Sequence, residues 1–320
     1  MPPHPRRPSA LSVDFTERTV HHGPVGLAVR DFGGAGAPLL LLHGAGRTLA
    51  DWSAVAPELA GRHRVVAMDL RAHGHSDAGP WTIPAVLGDI AAVLEACDMP
   101  DAALVGHSLG GMLAAAYADA HPETPAVVNL DGHNEGVPEL YAGLDRETAL
   151  RGMARVREVT AAAVGRVLPA EVFETVLEEQ MAVGERLGIP AALMQEGAAR
   201  AVAETPDGRR YLRPEREAGL EMLDRMHRLD LPLLYRRLSC PLLVLRAGRL
   251  LHQGGELAWF DELMAAYVRG LDDALSELAA EHPHITVETL DGAGHAMLLE
   301  RPYEVSLRIA AYIGRLSLRS

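Results

Sequence analysis

Short apolar runs alternate with amphipathic stretches along the first part of the chain. The apolar runs predict strands near residues 13–20, 26–32, 39–42, 63–68, 103–106 and 127–130, the first two with antiparallel character. Helical spacing is clearest at residues 51–60, 84–97 and 112–120. Strands that alternate with helices predict an α/β fold, with a mostly parallel sheet covered by helices on both faces.

The strand pattern stops in the middle of the chain. From residue 134 to residue 237, apolar side chains recur at helical spacing. Strand character returns at residues 241–245 and again at residues 285–290, with a helix-like stretch at 257–278 between them. The sequence therefore predicts a core domain of residues 1–133 and 238–320, interrupted by a helical segment of residues 134–237.

The pentapeptide Gly106-His107-Ser108-Leu109-Gly110 follows directly on one of the predicted strands. A strand that turns sharply into a helix gives the serine a strained backbone and exposes its hydroxyl, and flanking glycines leave room for the crossing. The motif G-x-S-x-G is a weak signal alone, but here a strand precedes it and a helix follows it. This order predicts a nucleophile elbow with Ser108 as the nucleophile.

A serine hydroxyl needs a base before it can attack a carbonyl carbon. An imidazole within hydrogen-bond reach supplies that base, and a carboxylate fixes its tautomer and stabilises its charge. His295 follows Gly294 after the last predicted strand, so it is the best candidate for the base. A surface histidine in a loop is the simpler alternative.

These motifs, with the turn His43-Gly44-Ala45-Gly46 and the stretch from Asp69 to Ser76, resemble the α/β-hydrolase superfamily over nearly the whole chain. The resemblance implies an α/β-hydrolase fold in which residues 134–237 form a helical cap over the active site. It also implies an oxyanion hole made by the backbone N–H groups of Ala45 and Leu109. His43 and His107 would then have structural roles.

The sequence departs from the family pattern at the acid. Similar proteins usually place an aspartate shortly after the strand that follows the cap, but here residues 248–252 contain no carboxylate. Asp131, at the end of the strand after the elbow, is our preferred substitute, because some similar proteins carry their acid there and neighbouring strand tips both reach the histidine. Glu256 in the later loop and a site without an acid are the alternatives, and Asp131 could instead only cap its own turn.

The motifs predict a serine hydrolase that cleaves an ester, thioester or lactone of a moderately apolar small molecule. Hydrolysis of a carbon–carbon bond is a further alternative within this class. Serine at the elbow counts against haloalkane dehalogenase and epoxide hydrolase activity, since similar enzymes of those kinds use aspartate there. Because the usual acid is missing, a non-hydrolytic catalyst or a small-molecule binding protein with a degenerate triad is the alternative from another class.

The amino-acid composition limits the kinds of partner and the cellular location that we expect. The net charge of −13 argues against nucleic acid and anionic membranes, because both require a basic face. No apolar run approaches the ~18 residues of a membrane span, and the N-terminal residues lack the apolar stretch of a signal peptide. We therefore expect a cytoplasmic protein. Its basic residues are all arginine, which together with abundant alanine and glycine suggests a GC-rich bacterial genome.

The sequence predicts neither a cofactor nor a metal. No metal-ligand spacing such as H-E-x-x-H or paired C-x-x-C is present, and the elbow glycines turn a strand rather than cradle a dinucleotide. The absence of lysine excludes a Schiff base with a carbonyl substrate or pyridoxal phosphate. Cys97 and Cys240 are expected to be buried, reduced thiols.

Overall fold

The computed structural model describes residues 15–133, 135–250 and 254–317. The strands are β1 (Thr16–His22), β2 (Val25–Gly33), β3 (Pro38–Leu42), β4 (Arg64–Met68), β5 (Ala103–His107), β6 (Val127–Leu130), β7 (Val202–Glu204), β8 (Arg210–Leu212), β9 (Leu242–Ala247) and β10 (Ile285–Leu290). Eight of them form one sheet in the order β1-β2-β4-β3-β5-β6-β9-β10. The β1–β2 and β2–β4 pairs are antiparallel and the other pairs in this sheet are parallel. The predicted strands and the α/β class are confirmed, although residues 13 and 14 lie outside the described part.

Helices cover both faces of this sheet. They are α1 (Ala56–Ala60), α2 (Ile83–Ala96), α3 (Leu109–Ala120), α4 (Arg146–Ala163), α5 (Ala170–Arg186), α6 (Ala191–Ala201), α7 (Arg216–Arg228), α8 (Leu231–Arg237), α9 (Ala258–Glu281), α10 (Met297–Glu300) and α11 (Pro302–Ser317). Three 3₁₀ turns add Leu49–Trp52, Pro138–Leu140 and Gly255–Leu257. Over the described residues, no helix combines the length and the apolar character needed to cross a membrane.

The pleat of each strand divides the core into two layers. In β3, Leu40 and Leu42 face the layer that contains α2, α3 and α9, whereas Leu39 and Leu41 face the layer that contains α1, α10 and α11. All four leucines are completely buried. A parallel strand that is covered on both faces needs apolar residues at every position, which explains the unbroken run of leucine in this strand.

The segment between β6 and β9 contains α4 to α8, but it is not entirely helical as the sequence analysis expected. Strands β7 and β8 pair antiparallel, with Val202 opposite Leu212. A Pro-Asp-Gly turn joins them, and Gly208 takes a φ of 82° that favours glycine. This turn chemistry was the sequence signal for a hairpin, but both strands are three residues long and carry little alternation.

Buried ion pairs fasten α6 to the core. Arg200 donates from Nε to Oδ2 of Asp69 over 2.7 Å, and both side chains are almost completely shielded from water. One turn earlier on α6, Glu196 accepts a hydrogen bond of 2.6 Å from Nη1 of the buried Arg30 on β2. The inserted segment is thus held to β2 and to the turn after β4 at its α6 side.

The close approach of α3 to the sheet gives a test of the fold. A Cβ atom on Gly110 would lie 2.3 Å from the carbonyl oxygen of Leu42, whereas one on Gly314 in α11 would meet nothing within 4 Å. We expect Gly110→Ala to lower the free energy of unfolding by about 3 kcal/mol or more, since backbone cannot move aside. Urea denaturation followed by circular dichroism measures the change.

Gly314→Ala is the matched control, because both glycines are helical. It should be neutral or stabilise by up to about 1 kcal/mol, since alanine favours the helix and restricts the unfolded chain. Equal stabilities for the two variants would contradict the close packing of α3 on β3.

Candidate active site

Ser108 stands between the end of β5 and the start of α3 in a backbone conformation that is rare for any residue but glycine. Its φ and ψ are 52° and −121°, and its N–H donates to the carbonyl oxygen of Leu130 on β6 over 2.9 Å. A Cβ atom on Gly106 would lie 2.1 Å from the carbonyl carbon of Gly110, so only glycine fits this crossing. The strained geometry is that of a nucleophile elbow.

Two buried histidines hold the loops around Ser108. His43 donates from Nδ1 to the carbonyl oxygen of Gly44 over 2.8 Å and accepts at Nε2 from the N–H of Leu70 over 2.9 Å. His107 donates from Nε2 to the carbonyl oxygen of His295 over 2.7 Å. Burial lowers the pKa of each of the two rings, His43 and His107, to about 4, so both are neutral at pH 7. These contacts agree with the structural roles expected for them.

The N–H groups of Ala45 and Leu109 border the same region. Leu109 is the first residue of α3, so its N–H has no partner inside the helix and lies at the positive end of the helix dipole. The N–H of the next residue after Ala45, Gly46, donates to Nε2 of His73, while the N–H of Ala45 itself has no acceptor among the described residues. The oxyanion hole assigned to these two N–H groups stays a prediction.

Asp131 and His295 come together although they are distant in sequence. Nδ1 of His295 donates to Oδ2 of Asp131 over 2.7 Å. The other carboxylate oxygen, Oδ1, accepts from the N–H of Ala247 at the end of β9 over 2.8 Å. Asp131 follows β6 directly and has a φ of 53°, so its side chain turns toward the neighbouring strand tip.

Burial and hydrogen bonding compete in this pair. Burial by itself would raise the pKa of Asp131, but the nearby His133 ring, 3.3 Å away, and the hydrogen bond and charge of His295 hold it well below its usual range. Burial would likewise lower the pKa of His295, and the hydrogen bond and charge of Asp131 overcome this effect and raise it. The His295 side chain is 58% exposed and lines two cavities.

Asn129 positions the turn that carries Asp131, and the sequence analysis missed it. Its Nδ2 donates to the carbonyl oxygen of Gly132 over 2.8 Å and to Oη of Tyr235 over 2.5 Å, and its Oδ1 accepts from the N–H of Gly132 over 2.8 Å. The side chain is fully buried. The available signal was a lone amide in the apolar strand Val-Val-Asn-Leu, since a buried amide requires partners.

Glu256, the alternative acid, lies in the 3₁₀ turn Gly255–Leu257 and is exposed to solvent. The described carboxylate that contacts the His295 ring is Asp131. Leu251 and His252, which the sequence analysis included in the loop without a carboxylate, lie outside the described residues.

Ser108 and His295 border two cavities. The first, which we call the α5–α6 cavity, has a volume of about 410 Å³ and is lined on the side of the inserted segment by Val183, Leu187, Ile189 and Met194. The second, which we call the α9 cavity, has a volume of about 360 Å³ and is lined by Asp131, Glu135, Arg246, Tyr267 and an apolar face of α9. A substrate bound at Ser108 can therefore extend in two directions.

Within the described residues, no three His, Cys, Asp or Glu side chains are arranged to hold a metal ion. Cys97 and Cys240 are buried free thiols. The absence of a cofactor and of a metal stays a prediction.

Curated relatives match a part of the chain. It is 38% identical over 96 residues to 2-hydroxymuconate semialdehyde hydrolase from Pseudomonas sp.. The matched stretch covers 28% of this chain and 34% of that protein. It is 42% identical over 94 residues to pimeloyl-[acyl-carrier protein] methyl ester esterase from Aeromonas hydrophila. That matched stretch covers 28% of this chain and 35% of that protein. The chain thus spans about a third of the length of these relatives.

The fold and a family model extend the similarity over most of the chain. The crystal structure of E-2-(acetamidomethylene)succinate hydrolase superposes with a TM-score of 0.68 at 23% identity, covering 94% of this chain and 100% of that one. The sequence model of the alpha/beta hydrolase family matches residues 39–307. A match of this extent, on a sheet of this topology with an elbow at Ser108, places the chain in the alpha/beta hydrolase family.

Proposed function

We propose that the protein is a serine hydrolase that cleaves an ester, thioester or lactone of a moderately apolar small molecule. The contact of 2.7 Å between Nδ1 of His295 and Oδ2 of Asp131 carries this proposal, because it supplies the acid that the usual family position lacks. Ser108 lines the same cavities as that histidine. The three side chains have the chemical roles that a Ser-His-Asp triad requires.

In the proposed reaction, Oγ of Ser108 attacks the carbonyl carbon of the substrate while Nε2 of His295 accepts the serine proton. The N–H groups of Ala45 and Leu109 stabilise the negative oxygen of the tetrahedral intermediate. The bond to the leaving oxygen or sulfur then breaks, and His295 returns the proton to that atom. A water molecule, deprotonated by His295, releases the acid from Ser108 by the same steps.

The proposed domain organisation supports the substrate class. Residues 134–237 would form a cap domain on a core of residues 1–133 and 238–320, and apolar side chains of α5 and α6 line one cavity beside Ser108. An apolar substrate is favoured there by burial of its surface. The Aeromonas relative is named as an esterase, in line with ester chemistry.

Hydrolysis of a carbon–carbon bond is a second candidate, since the Pseudomonas relative is named for a semialdehyde rather than for an ester. The same serine, histidine and oxyanion donors could act on a ketone carbonyl. A binding protein with a degenerate triad is less well supported, because the His295 imidazole has a carboxylate partner.

The nucleophile is tested first. Ser108→Ala should lower kcat for p-nitrophenyl butyrate by roughly 10⁶-fold, as in comparable triads, and should abolish labelling by a fluorophosphonate probe. Mass spectrometry of the labelled peptide identifies the modified residue. Ser239→Ala, a change at an exposed serine, is the control and should keep both signals. Wild-type protein that neither reacts with the probe nor cleaves any ester would favour the binding protein.

The acid is tested through the pH profile. The acidic limb of kcat/KM reports the pKa of His295 in the free enzyme, and Asp131 raises that pKa above the usual value of about 6.5. Asp131→Asn removes the charge and leaves the effect of burial, so the residual limb should move to lower pH. The same change should reduce kcat by up to about 10⁴-fold, because the imidazole loses its tautomer control.

Glu256→Gln is the control for this experiment and should leave the limb where it is. If the acidic limb of kcat/KM shifts in Glu256→Gln but not in Asp131→Asn, the acid is Glu256 in the later loop.

The α5–α6 cavity is tested by filling it. Val183 and Val172 both lie on α5 and are similarly exposed, at 42% and 48%, but only Val183 lines the cavity. We expect Val183→Trp to lower kcat/KM for p-nitrophenyl octanoate by about tenfold or more, with a smaller effect on the acetate. Val172→Trp should leave the ratio of the two esters as in the wild type. If Val183→Trp lowers kcat/KM for the octanoate and the acetate by the same factor, the acyl chain of the substrate does not extend into this cavity.

A further inference from the structure

Among the described residues that line the α9 cavity, three have a buried side-chain atom without a hydrogen-bond partner: His133, Arg246 and Tyr267. Nε2 of His133 lies 3.3 Å from Oδ1 of Asp131, within ion-pair distance. Nε of Arg246 and Oη of Tyr267 have no hydrogen-bond partner among the described residues, although the two side chains are only 5% and 3% exposed. Such atoms are rare in proteins, because leaving a buried donor unpaired costs free energy. Nε of Arg246 and Oη of Tyr267, in one cavity beside Ser108, therefore require an explanation.

Each donor reaches the cavity from a different element. Arg246 lies on β9 on the same face as Val244, next to the strand tip that contacts Asp131. Tyr267 lies on α9 with Phe260, Met264 and Leu271, a spacing that places these side chains on one face of the helix. The α9 cavity thus has polar groups beside the end of β9 and apolar side chains along α9.

The charges around the cavity favour an uncharged ligand. Arg246 already forms an ion pair with Asp272, so its positive charge has a partner. Asp131, which is ionised, attracts the Arg246 guanidinium and repels a second anion in the same space. Burial raises the pKa of the Tyr267 hydroxyl well above its usual value, so the group stays protonated and can donate to an oxygen.

We propose that the α9 cavity is a substrate subsite in which Arg246 Nε and Tyr267 Oη donate to one uncharged carbonyl oxygen carried on an apolar chain. A carbonyl oxygen has two lone pairs and can accept both hydrogen bonds at once. This inference rests on the proposed hydrolase function and names its substrate class: an ester or thioester that carries a second, non-reacting carbonyl group.

Matched p-nitrophenyl esters test the subsite. The 4-oxopentanoate ester carries the additional carbonyl, the pentanoate ester lacks it, and the hydrogen succinate ester replaces it by a carboxylate. The corresponding set on the alcohol side is the acetates of 4-hydroxybutan-2-one, 1-butanol and 3-hydroxypropanoate. Either the acyl part or the alcohol part of the substrate enters the α9 cavity. In the corresponding set of esters, kcat/KM should be highest for the keto ester.

Tyr267→Phe should lower the preference for the keto ester over the alkyl ester by about tenfold, the effect of one hydrogen bond to an uncharged acceptor. Its Tm should not fall, since the removed hydroxyl has no partner in the fold. Tyr312→Phe, at a buried tyrosine on α11 that lines neither cavity, is the control and should keep the wild-type preference.

An unchanged preference in Tyr267→Phe, or a wild-type preference for the carboxylate ester, would overturn the proposal. A lowered Tm with an unchanged preference would assign the hydroxyl a structural role instead. If the wild type cleaves no ester, the hydrolase proposal fails separately. Ligand-observed NMR with 4-oxopentanamide and pentanamide then decides the subsite: equal binding of the two amides, or a difference that persists in Tyr267→Phe, overturns it.

Discussion

The close crossing of α3 over the tips of β3 and β5 is the constraint on which the site depends. Because the first turn of α3 lies against the carbonyl of Leu42, the chain has no space for a side chain at Gly106 or Gly110. The only route from strand to helix then passes through the strained conformation of Ser108. The strain is maintained by the surrounding hydrogen bonds and packing, so that the serine hydroxyl is oriented before any substrate binds.

Hydrogen bonds between the parallel strands fix the neighbouring strand ends relative to Ser108. The N–H of Ser108 donates to Leu130 on β6, and the N–H of Asp131 donates to Leu245 on β9. Three adjacent strand tips are therefore in fixed register, and Asn129 closes the turn that follows the second of them. In such an arrangement an acid at the end of β6 can reach the same imidazole as an acid at the end of the next strand. Relocation of the acid within a family requires no change of fold.

Much of this could be predicted from the sequence. Apolar runs predicted the inner strands of the main sheet, because burial on both faces requires them, while the outer strands β1 and β10 are largely exposed or only partly buried. The two glycines around Ser108 predicted the elbow. Within the stretch from Asp69 to Ser76, Ala72 takes a φ of 64°, a conformation that favours glycine and that the residue type alone does not predict. Other features depend on long-range packing that leaves little local pattern. The β7–β8 hairpin is short, and the two cavities exist only where α5, α6 and α9 meet the strand ends.

The ion pairs of α6 make one side of the inserted segment harder to displace than the other. Separating Arg200 from Asp69 would leave two charges facing a largely dry interface, which typically costs several kcal/mol. By contrast, α4 has a single buried residue, Ala149, and its paired charges are already hydrated. The inserted segment can therefore move away from the core at far lower cost at α4 than at α6.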